Sequence, residues 1–354
     1  MTYSKTIILF PDNYYFVPKP KVYVTRIIPE PGLSMLRECC EIELHESKEY
    51  PPSREELIKK IRDKDALLCL LTDKIDAEVM DAAPNLKVIS TYSVGFDHID
   101  IPEATKRGIY VTHTPGVLTD AVAEFTVGLI LAVTRRIVEA DKIIRSGQWD
   151  KPWNPYFLTG PELKGKTIGL IGLGRIGVAT AKRLSSFEVK ILYYDLERRW
   201  DVETVLPNMQ FADIDTVLSE SDIVSIHVPL TKDTYHLINE EKLKKMKKTA
   251  YLINTARGPV VDTEALVKAL REGWIAGAAL DVFEQEPLPP THPLTKFDNV
   301  VLAPHIASAT IEARQRMAEL AARNLIAVLK GEMPPALVNK EVLKIRPLEK
   351  VKMI

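Results

Sequence analysis

Three side chains late in the sequence could together move a proton and hold an organic acid: Arg257, Glu286 and His305. A histidine has an ordinary pKa of about 6.5 and can act as a general acid near neutral pH. A neighbouring carboxylate would orient its ring and favour the protonated form. An arginine fork can clamp a substrate carboxylate at two points and polarise the carbonyl beside it. Taken singly, the three have ordinary interpretations as a surface cation, a loop carboxylate and a capping histidine.

A glycine-rich turn predicts where a phosphate-bearing ligand binds. The apolar run Thr167–Ile171 leads into the pattern G-x-G-x-x-G at Gly172, Gly174 and Gly177. The first glycine permits a tight turn, the second lets the backbone approach a pyrophosphate, and the third lets helix and strand pack closely. The N–H groups at the start of the following helix attract phosphate. The alternative interpretation is an ordinary tight turn between a strand and a helix.

An acid at the end of the next predicted strand indicates a dinucleotide. The run Val189–Tyr194 leads to Asp195, 18 residues after Gly177, where a carboxylate can accept hydrogen bonds from ribose hydroxyls. We predict NADH as the cofactor, because Asp195 would repel the 2′-phosphate of NADPH. Arg198 and Arg199 could turn towards such a phosphate, so NADP(H) stays open. Nicotinamide chemistry is hydride transfer, which needs a matching proton donor when a carbonyl is reduced.

The elements that must position these residues alternate between strand and helix. From Lys21 onwards, short apolar runs alternate with amphipathic segments, which is typical of α/β proteins with parallel sheets and helices on both faces. Polar residues follow the predicted strands directly, at His227, Asn254–Gly258, Asp281 and His305. Because ligands bind beyond the carboxyl ends of parallel strands, we expect these residues to share one edge of a sheet.

The order of the elements predicts two Rossmann-like parallel-sheet domains with a cofactor and substrate cleft between them. A discontinuous substrate-binding domain would comprise residues 1–118 and 313–354, and the NAD-binding domain residues 119–312. The tail of about 40 residues that includes the predicted helix Ile311–Leu329 is too short to fold alone, so the chain should return to the first domain. Two crossings would form a hinge. Residues 1–20 are expected to be an irregular extension.

Composition argues against several other classes of protein. Lys and Arg number 47 and Asp and Glu 48 among 354 residues, so charge supports neither nucleic acid nor an anionic membrane as partner. No apolar run approaches the ~20 residues of a membrane span, and the amino terminus is not typical of a signal peptide. The odd set Cys39, Cys40 and Cys69 predicts buried, reduced thiols in a cytoplasmic protein. We expect no metal site.

Seven segments of the sequence resemble the D-isomer-specific 2-hydroxyacid dehydrogenase family, most of all its archaeal glyoxylate (hydroxypyruvate) reductases. The resemblance extends from Lys21 to about Asn339. It is carried by Gly95–Asp100, Thr114–Thr119, Gly172–Gly177, His227–Thr231, Asn254–Gly258, Leu280–Pro287 and Pro304–Thr310. The implied activity is NAD(P)H-dependent reduction of glyoxylate, and also of hydroxypyruvate, to the 2-hydroxy acid.

The resemblance also implies roles for individual residues. Arg257 would bind the substrate, His305 would be the acid and base, and Glu286 would support the histidine. Backbone N–H groups of Val94 and Gly95 would hold the substrate carboxylate. The cofactor would be bound, besides the glycines and Asp195, by Thr119, Arg175, Ile176, His227, Pro229, Thr255, Ala256, Asp281 and Ala307, with Thr119 and Asp281 at its nicotinamide end. Ala307 stands where the family usually has glycine, so its methyl group would alter the fit.

Other functions within this fold remain open. One is reduction of a different small 2-oxo acid, and another is a cofactor-sensing binding protein, since a corepressor-like branch of the family can keep the catalytic triplet. The lack of a long disordered tail or basic segments disfavours that branch. Val94 disfavours phosphite-oxidising relatives, which would have a lysine there, and the glutamate disfavours members like formate dehydrogenase.

The sequence also predicts a homodimer. The helical stretch 120–145 carries more apolar side chains than one buried face needs, and the resemblance indicates the same assembly. By that resemblance, Trp153 would cross to the other subunit and cap its substrate site. The alternative for Trp153 is a local hydrophobic cluster with Trp149 and Tyr156.

Overall fold

The computed structural model describes residues 18–354, and the chain divides into two compact α/β units. The first unit runs to Pro115 and resumes at Arg314, and the second spans Gly116–Ala313. Of the predicted irregular extension, residues 1–17 lie outside the described residues. The predicted fold class is confirmed, because both units are built on parallel sheets.

Strands and helices alternate along the chain. The strands are β1 Lys21–Val24, β2 Glu41–Leu44, β3 Ala66–Cys69, β4 Val88–Thr91, β5 Tyr110–Thr112, β6 Thr167–Ile171, β7 Lys190–Tyr194, β8 Met209–Phe211, β9 Ile223–Ile226, β10 Tyr251–Asn254, β11 Gly277–Leu280 and β12 Val300–Leu302. The helices are α1 Glu30–Cys39, α2 Arg54–Ile61, α3 Ala77–Asp81, α4 Ile101–Lys106, α5 Thr119–Thr134, α6 Ile137–Arg145, α7 Arg175–Leu184, α8 Trp200–Glu203, α9 Ile214–Glu220, α10 Glu240–Lys245, α11 Thr263–Glu272, α12 Ile311–Leu329 and α13 Val342–Ile345. Short 3-10 turns lie at Ser185–Phe187, Gly258–Val260, Pro293–Lys296 and Leu348–Lys350.

The first unit needs both of its segments to complete its hydrogen bonds. Within residues 18–115 and 314–354, five parallel strands are ordered β2-β1-β3-β4-β5. The buried Asn339 accepts a bond of 2.8 Å from the Val111 N–H and donates one of 2.9 Å to the Ile109 carbonyl. The buried Asn324, on α12, donates to the His113 carbonyl at 2.8 Å. The returning segment therefore satisfies backbone groups around β5 that would otherwise be buried without partners.

The second unit is a doubly wound sheet. Across Gly116–Ala313, seven parallel strands are ordered β12-β11-β10-β9-β6-β7-β8. The chain starts at β6, proceeds outwards through β7 and β8, and then crosses to β9 on the other side. Open parallel sheets bind ligands beyond the carboxyl ends of the strands at such a reversal of strand order. The reversal lies between β6 and β9, directly beside the glycine-rich turn.

The prediction of one helix over 120–145 is wrong. The structure has α5 and α6 instead, separated at Arg136, which is left-handed with φ +53°. That backbone conformation ends the α-helical hydrogen-bond ladder, and a new one begins with the Ala140 N–H donating to the Arg136 carbonyl. The Arg136 guanidinium makes two bonds of 2.7 Å to Glu139, which fix the side chain at the break. No glycine or proline in the sequence signals the interruption.

The two helices differ in how their apolar residues are covered. Half of α5 is buried, including Ala123, Leu129 and Ile130. Within the described chain no residue of α6 is buried, and Ile137 and Ile144 are 53% and 60% exposed.

None of the helices in residues 18–354 combines the length and apolar character needed to traverse a lipid bilayer.

Candidate active site

The histidine and the glutamate of the predicted triplet form a direct pair. The Nδ1 atom of His305 lies 2.7 Å from Oε2 of Glu286, whose Oε1 accepts from the Phe283 N–H at 2.9 Å. Because a carboxylate only accepts, Nδ1 carries hydrogen, and Nε2 is the nitrogen left to exchange a proton with a substrate. Burial acts to raise the pKa of Glu286, but the bond from His305, the Phe283 N–H and the charge of Arg257 together lower it. Glu286 is therefore a carboxylate at neutral pH.

A buried aspartate holds the histidine loop. His305 is left-handed, with φ +56°, a conformation that residues other than glycine adopt infrequently. Asp281 is fully buried, and its two carboxylate oxygens accept bonds of 2.8 Å from the Ile306 and Ala307 N–H groups. Its carbonyl accepts the His305 N–H at 2.8 Å. Asp281 thus fixes three consecutive N–H groups, which compensates for the strained backbone at His305.

The arginine follows β10 on a closed turn. The side chain of Asn254, 1% exposed, accepts from the Ala256 N–H at 3.0 Å and donates to the Arg257 carbonyl at 2.9 Å. A Cβ at Gly258 would lie 1.9 Å from the carbonyl carbon of Phe283, so the two loops are in backbone contact. That contact brings the arginine's loop against the loop that carries the Glu286 carboxylate.

The glycine-rich turn fits a dinucleotide. Gly172 has φ +96°, and a Cβ there would lie 2.8 Å from the carbonyl of His227. A Cβ at Gly177 would lie 2.4 Å from the Gly172 oxygen, so both positions exclude a side chain. A Cβ at Gly174 would meet nothing within 4 Å, which leaves open space in front of the turn. Within the described residues, the start of α7 has no side-chain cap, so its N–H groups can bind a pyrophosphate.

Asp195 and His227 flank this turn. The Asp195 carboxylate accepts bonds of 2.7 Å from the Leu173 and Leu196 N–H groups, which orient it at the end of β7. Burial lowers the pKa of His227 to about 4, so its ring is neutral at neutral pH, and it lies 3.0 Å from the Ser225 hydroxyl. His227 therefore offers no charge to a phosphate.

The predicted residues of the second unit share one sheet edge. Those that follow carboxyl ends of strands are Gly172, Gly174, Arg175, Ile176 and Gly177 after β6, Asp195 after β7, His227 and Pro229 after β9, Thr255, Ala256 and Arg257 after β10, Asp281 and Glu286 after β11, and His305 and Ala307 after β12. Thr119 is the exception, since it begins α5 and follows no strand of this sheet. Thr255 is held by a 2.9 Å bond to Thr126 of α5.

Val94 and Gly95 lie in the first unit, after β4. The Ser93 carbonyl accepts from the Thr114 N–H at 2.8 Å, and the Val94 carbonyl lies 2.8 Å from Nδ1 of His113. In a trans peptide the N–H points away from the carbonyl of the same unit. The N–H groups of Val94 and Gly95 therefore point away from the atoms of residues 113 and 114 that the carbonyls of the same peptide units contact.

Trp153 is not part of a local hydrophobic cluster. It is 82% exposed, and Trp149 and Tyr156 are 60% and 86% exposed, so the alternative interpretation fails for a single chain. The irregular stretch that contains them follows α6 in the chain and exposes all three aromatic side chains.

Sequence reasoning missed the residues that hold the site together. These are Ser225 beside His227, Thr126 beside Thr255, and the N–H of Phe283. The sequence places Asn254 among the polar residues at strand ends, but its closing of the arginine's turn was not predicted. An asparagine at the end of a strand could have been interpreted as a turn-closing side chain. The others depend on contacts between separate elements.

Comparison with known proteins identifies the family. The model of the "D-isomer specific 2-hydroxyacid dehydrogenase, NAD binding domain" matches residues 127–307. A glyoxylate reductase of Thermofilum pendens is 92% identical over 95% of this chain and 99% of its own. The chain belongs to the D-isomer-specific 2-hydroxyacid dehydrogenase family. The resemblance seen in the sequence is confirmed, and this 2-hydroxyacid dehydrogenase is an oxidoreductase that uses NAD(P).

Solved structures support the same assignment. A Thermus thermophilus protein superposes with a TM-score of 0.84 at 49% identity, over 90% of this chain and 99% of its own. An NADPH-dependent glyoxylate/hydroxypyruvate reductase of Sinorhizobium meliloti, in complex with NADP and malonate, has a TM-score of 0.80 at 34% identity, over 92% and 98%.

Proposed function

We propose that this dehydrogenase reduces glyoxylate, and also hydroxypyruvate, to the 2-hydroxy acid with NADH. The observation that carries the proposal is the His305–Glu286 pair, held on the same sheet edge as Arg257 and the glycine-rich turn. The 92% identical relative is itself named a glyoxylate reductase, which supports the choice of substrate.

In the proposed reaction each residue acts on the substrate by a simple physical means. Arg257 binds the substrate carboxylate and polarises the carbonyl. A reduced nicotinamide cofactor, held at the glycine-rich turn, would supply the hydride that reduction of the carbonyl needs. His305 donates the proton on Nε2 to the carbonyl oxygen, while Glu286 stabilises the protonated ring that this step requires. The histidine then takes a proton from water for the next turnover.

We expect NADH to be oxidised in the presence of glyoxylate, with a higher kcat/KM for NADH than for NADPH. The reason is that the Asp195 carboxylate attracts ribose hydroxyls and repels a 2′-phosphate. The measurement is steady-state kinetics with glyoxylate, hydroxypyruvate, pyruvate and phenylpyruvate, each with both cofactors.

Two results would contradict these proposals. A higher kcat/KM with NADPH would refute the cofactor preference. Binding of NADH without turnover of any small 2-oxo acid would refute the reductase and favour a cofactor-sensing protein.

We also propose that the protein works in the cytoplasm. Cys39, Cys40 and Cys69 are free thiols, as a reducing compartment would keep them. Burial raises the pKa of Cys40 to about 12, which makes that thiol unreactive. Cys39 is only half-buried, which departs from the prediction that all three thiols are buried.

We expect a homodimer in which α6 and the exposed aromatic side chains after it are buried between subunits. The side chains of Ile144 and Trp153 are 60% and 82% exposed in a single chain. Burying this apolar surface between two subunits would lower the free energy. Ile144→Glu should lower the mass measured by light scattering to that of one chain, whereas Lys232→Glu, on an exposed loop, should not.

Trp153→Ala should narrow the preference for glyoxylate over phenylpyruvate, because Trp153 is expected to cap the substrate site of the other subunit. A wild-type monomer at micromolar concentration would overturn the expectation.

A further inference from the structure

Two adjacent arginines, Arg198 and Arg199, follow β7 and have different hydrogen-bond partners. Arg198 is bound to a carboxylate. Its Nε and Nη2 atoms lie 3.0 and 2.8 Å from the carboxylate of Glu203, and its guanidinium stacks 3.5 Å above the Trp200 ring centroid. Glu203 accepts a further bond of 2.6 Å from the hydroxyl of Tyr193, a residue with no exposed surface. Arg198 is therefore fixed by a carboxylate that is itself anchored to the core.

Arg199 reaches the glycine-rich turn instead. Its Nη1 donates to the Leu173 carbonyl at 2.9 Å, and the Leu173 N–H donates to Asp195 at 2.7 Å, so both side chains hold the same residue of the turn. Its Nε and Nη2 atoms lie 2.8 and 2.7 Å from the two oxygens of Asp201. Hydrogen bonds to Asp201 and, to a smaller extent, the charge of Asp195 raise the pKa of Arg199.

The partner of Arg199 is weakly held. The side chains of Arg199 and Asp201 are 38% and 66% exposed, whereas the Glu203 side chain that holds Arg198 is 13% exposed. An exposed ion pair contributes little to stability, so a phosphate dianion can compete for its arginine. Asp195, Arg199 and Asp201 together carry one net negative charge beside the turn, which opposes a 2′-phosphate.

We infer that Arg199, and not Arg198, is the residue that binds the 2′-phosphate of NADPH, and that Asp201 sets the preference for NADH by occupying Arg199. The inference rests on the proposed use of this turn for the adenosine ribose. It assigns cofactor choice to a competition between Asp201 and a phosphate for one guanidinium, in addition to repulsion by Asp195.

Binding titrations test the inference without any substrate. Dissociation constants for NADH and NADPH are measured from the fluorescence of the bound nicotinamide, for wild type, Asp201→Asn, Arg199→Ala and the matched control Arg198→Ala. Asp201→Asn should tighten NADPH binding by about tenfold and change NADH binding by less than about twofold, since only the phosphate competes for Arg199. Arg199→Ala should weaken NADPH binding by about tenfold relative to NADH. Arg198→Ala should leave the ratio of the two constants unchanged.

The ratio of the two dissociation constants decides the outcome. An unchanged ratio in Asp201→Asn, or an equal change of ratio in Arg198→Ala and Arg199→Ala, would overturn the inference. Arg199→Ala also removes a bond to the turn, but a loosened turn would weaken both cofactors together and leave the ratio unchanged. Asp201→Asn keeps the arginine and that bond, so it tests the inference independently. If the proposed reductase activity were wrong, kinetic assays would show no turnover, whereas the ratio of the NADH and NADPH dissociation constants would still change in these variants.

Discussion

Replacing His305 with alanine is expected to lower kcat by about 10²–10⁴-fold, which is the usual contribution of a positioned general acid. In the structure, the Glu286 carboxylate takes Nδ1 of His305 at 2.7 Å, so Nε2 is the atom that delivers the proton. The glycine-rich turn and Asp195 belong to other loops of the sheet edge, and NADH binding should therefore persist. Steady-state kinetics and a fluorescence titration of NADH measure the two effects separately.

The left-handed backbone at position 305 requires a control for this experiment. Alanine is strained at φ +56°, whereas asparagine tolerates that conformation and cannot donate a proton as an acid. His305→Asn should therefore lose turnover as fully as His305→Ala while keeping the wild-type melting temperature more closely. Turnover near that of wild type in either variant would refute the role of His305.

The role of Glu286 beside His305 predicts how the rate of reduction depends on pH. Glu286 is anionic at neutral pH, because its pKa is lowered by His305 and the Phe283 N–H against the opposing effect of burial. The stabilisation of a protonated ring by Glu286 is present above that lowered pKa and is lost as pH falls through it. Glu286→Gln removes the group that titrates. The variant should therefore be slower than wild type at neutral pH, and it should lack the decline in reduction rate that wild type shows as pH falls through the pKa of Glu286. An identical decline in the variant would exclude Glu286 as its cause.

Arg257→Lys is expected to lower kcat/KM for glyoxylate by about 10- to 100-fold. A lysine cannot reproduce the two-point fork, and a hydrogen bond to a charged group contributes about 1.5–3 kcal/mol. The turn itself should persist, because Asn254 holds the backbone of residues 256 and 257 rather than the side chain. Both kcat and KM should change, since the arginine binds the carboxylate and polarises the carbonyl.

The matched control for this substitution is Arg271→Lys. Arg271 is an exposed residue of α11, so the same chemical change there should leave kcat/KM unaltered. Equal kinetics of Arg257→Lys and wild type would remove Arg257 from the proposed reaction.

The sequence predicts those features of the structure that are determined by residues close together in the chain. The alternation of apolar runs predicts both parallel sheets, and strand ends predict that Arg257 and His305 share an edge. The break at Arg136 has no local signal, since no glycine or proline marks it. The anchoring of the His305 loop by Asp281, and the different orientations of Arg198 and Arg199, arise from contacts between elements distant in the chain. Periodicity carries no information about such contacts.

The discontinuous first unit has a consequence for the order of folding during synthesis. A ribosome releases the strands of that unit first, the whole of Gly116–Ala313 next, and Asn324 and Asn339 last. The inserted unit has all its strands in one stretch and can form its sheet as soon as it emerges. The Val111 N–H and the Ile109 carbonyl acquire their partner only when Asn339 has left the exit tunnel. A nascent chain therefore leaves these two groups of β5 and its flank without their partner until Asn339 emerges, and a protein truncated before Asn339 would never supply it.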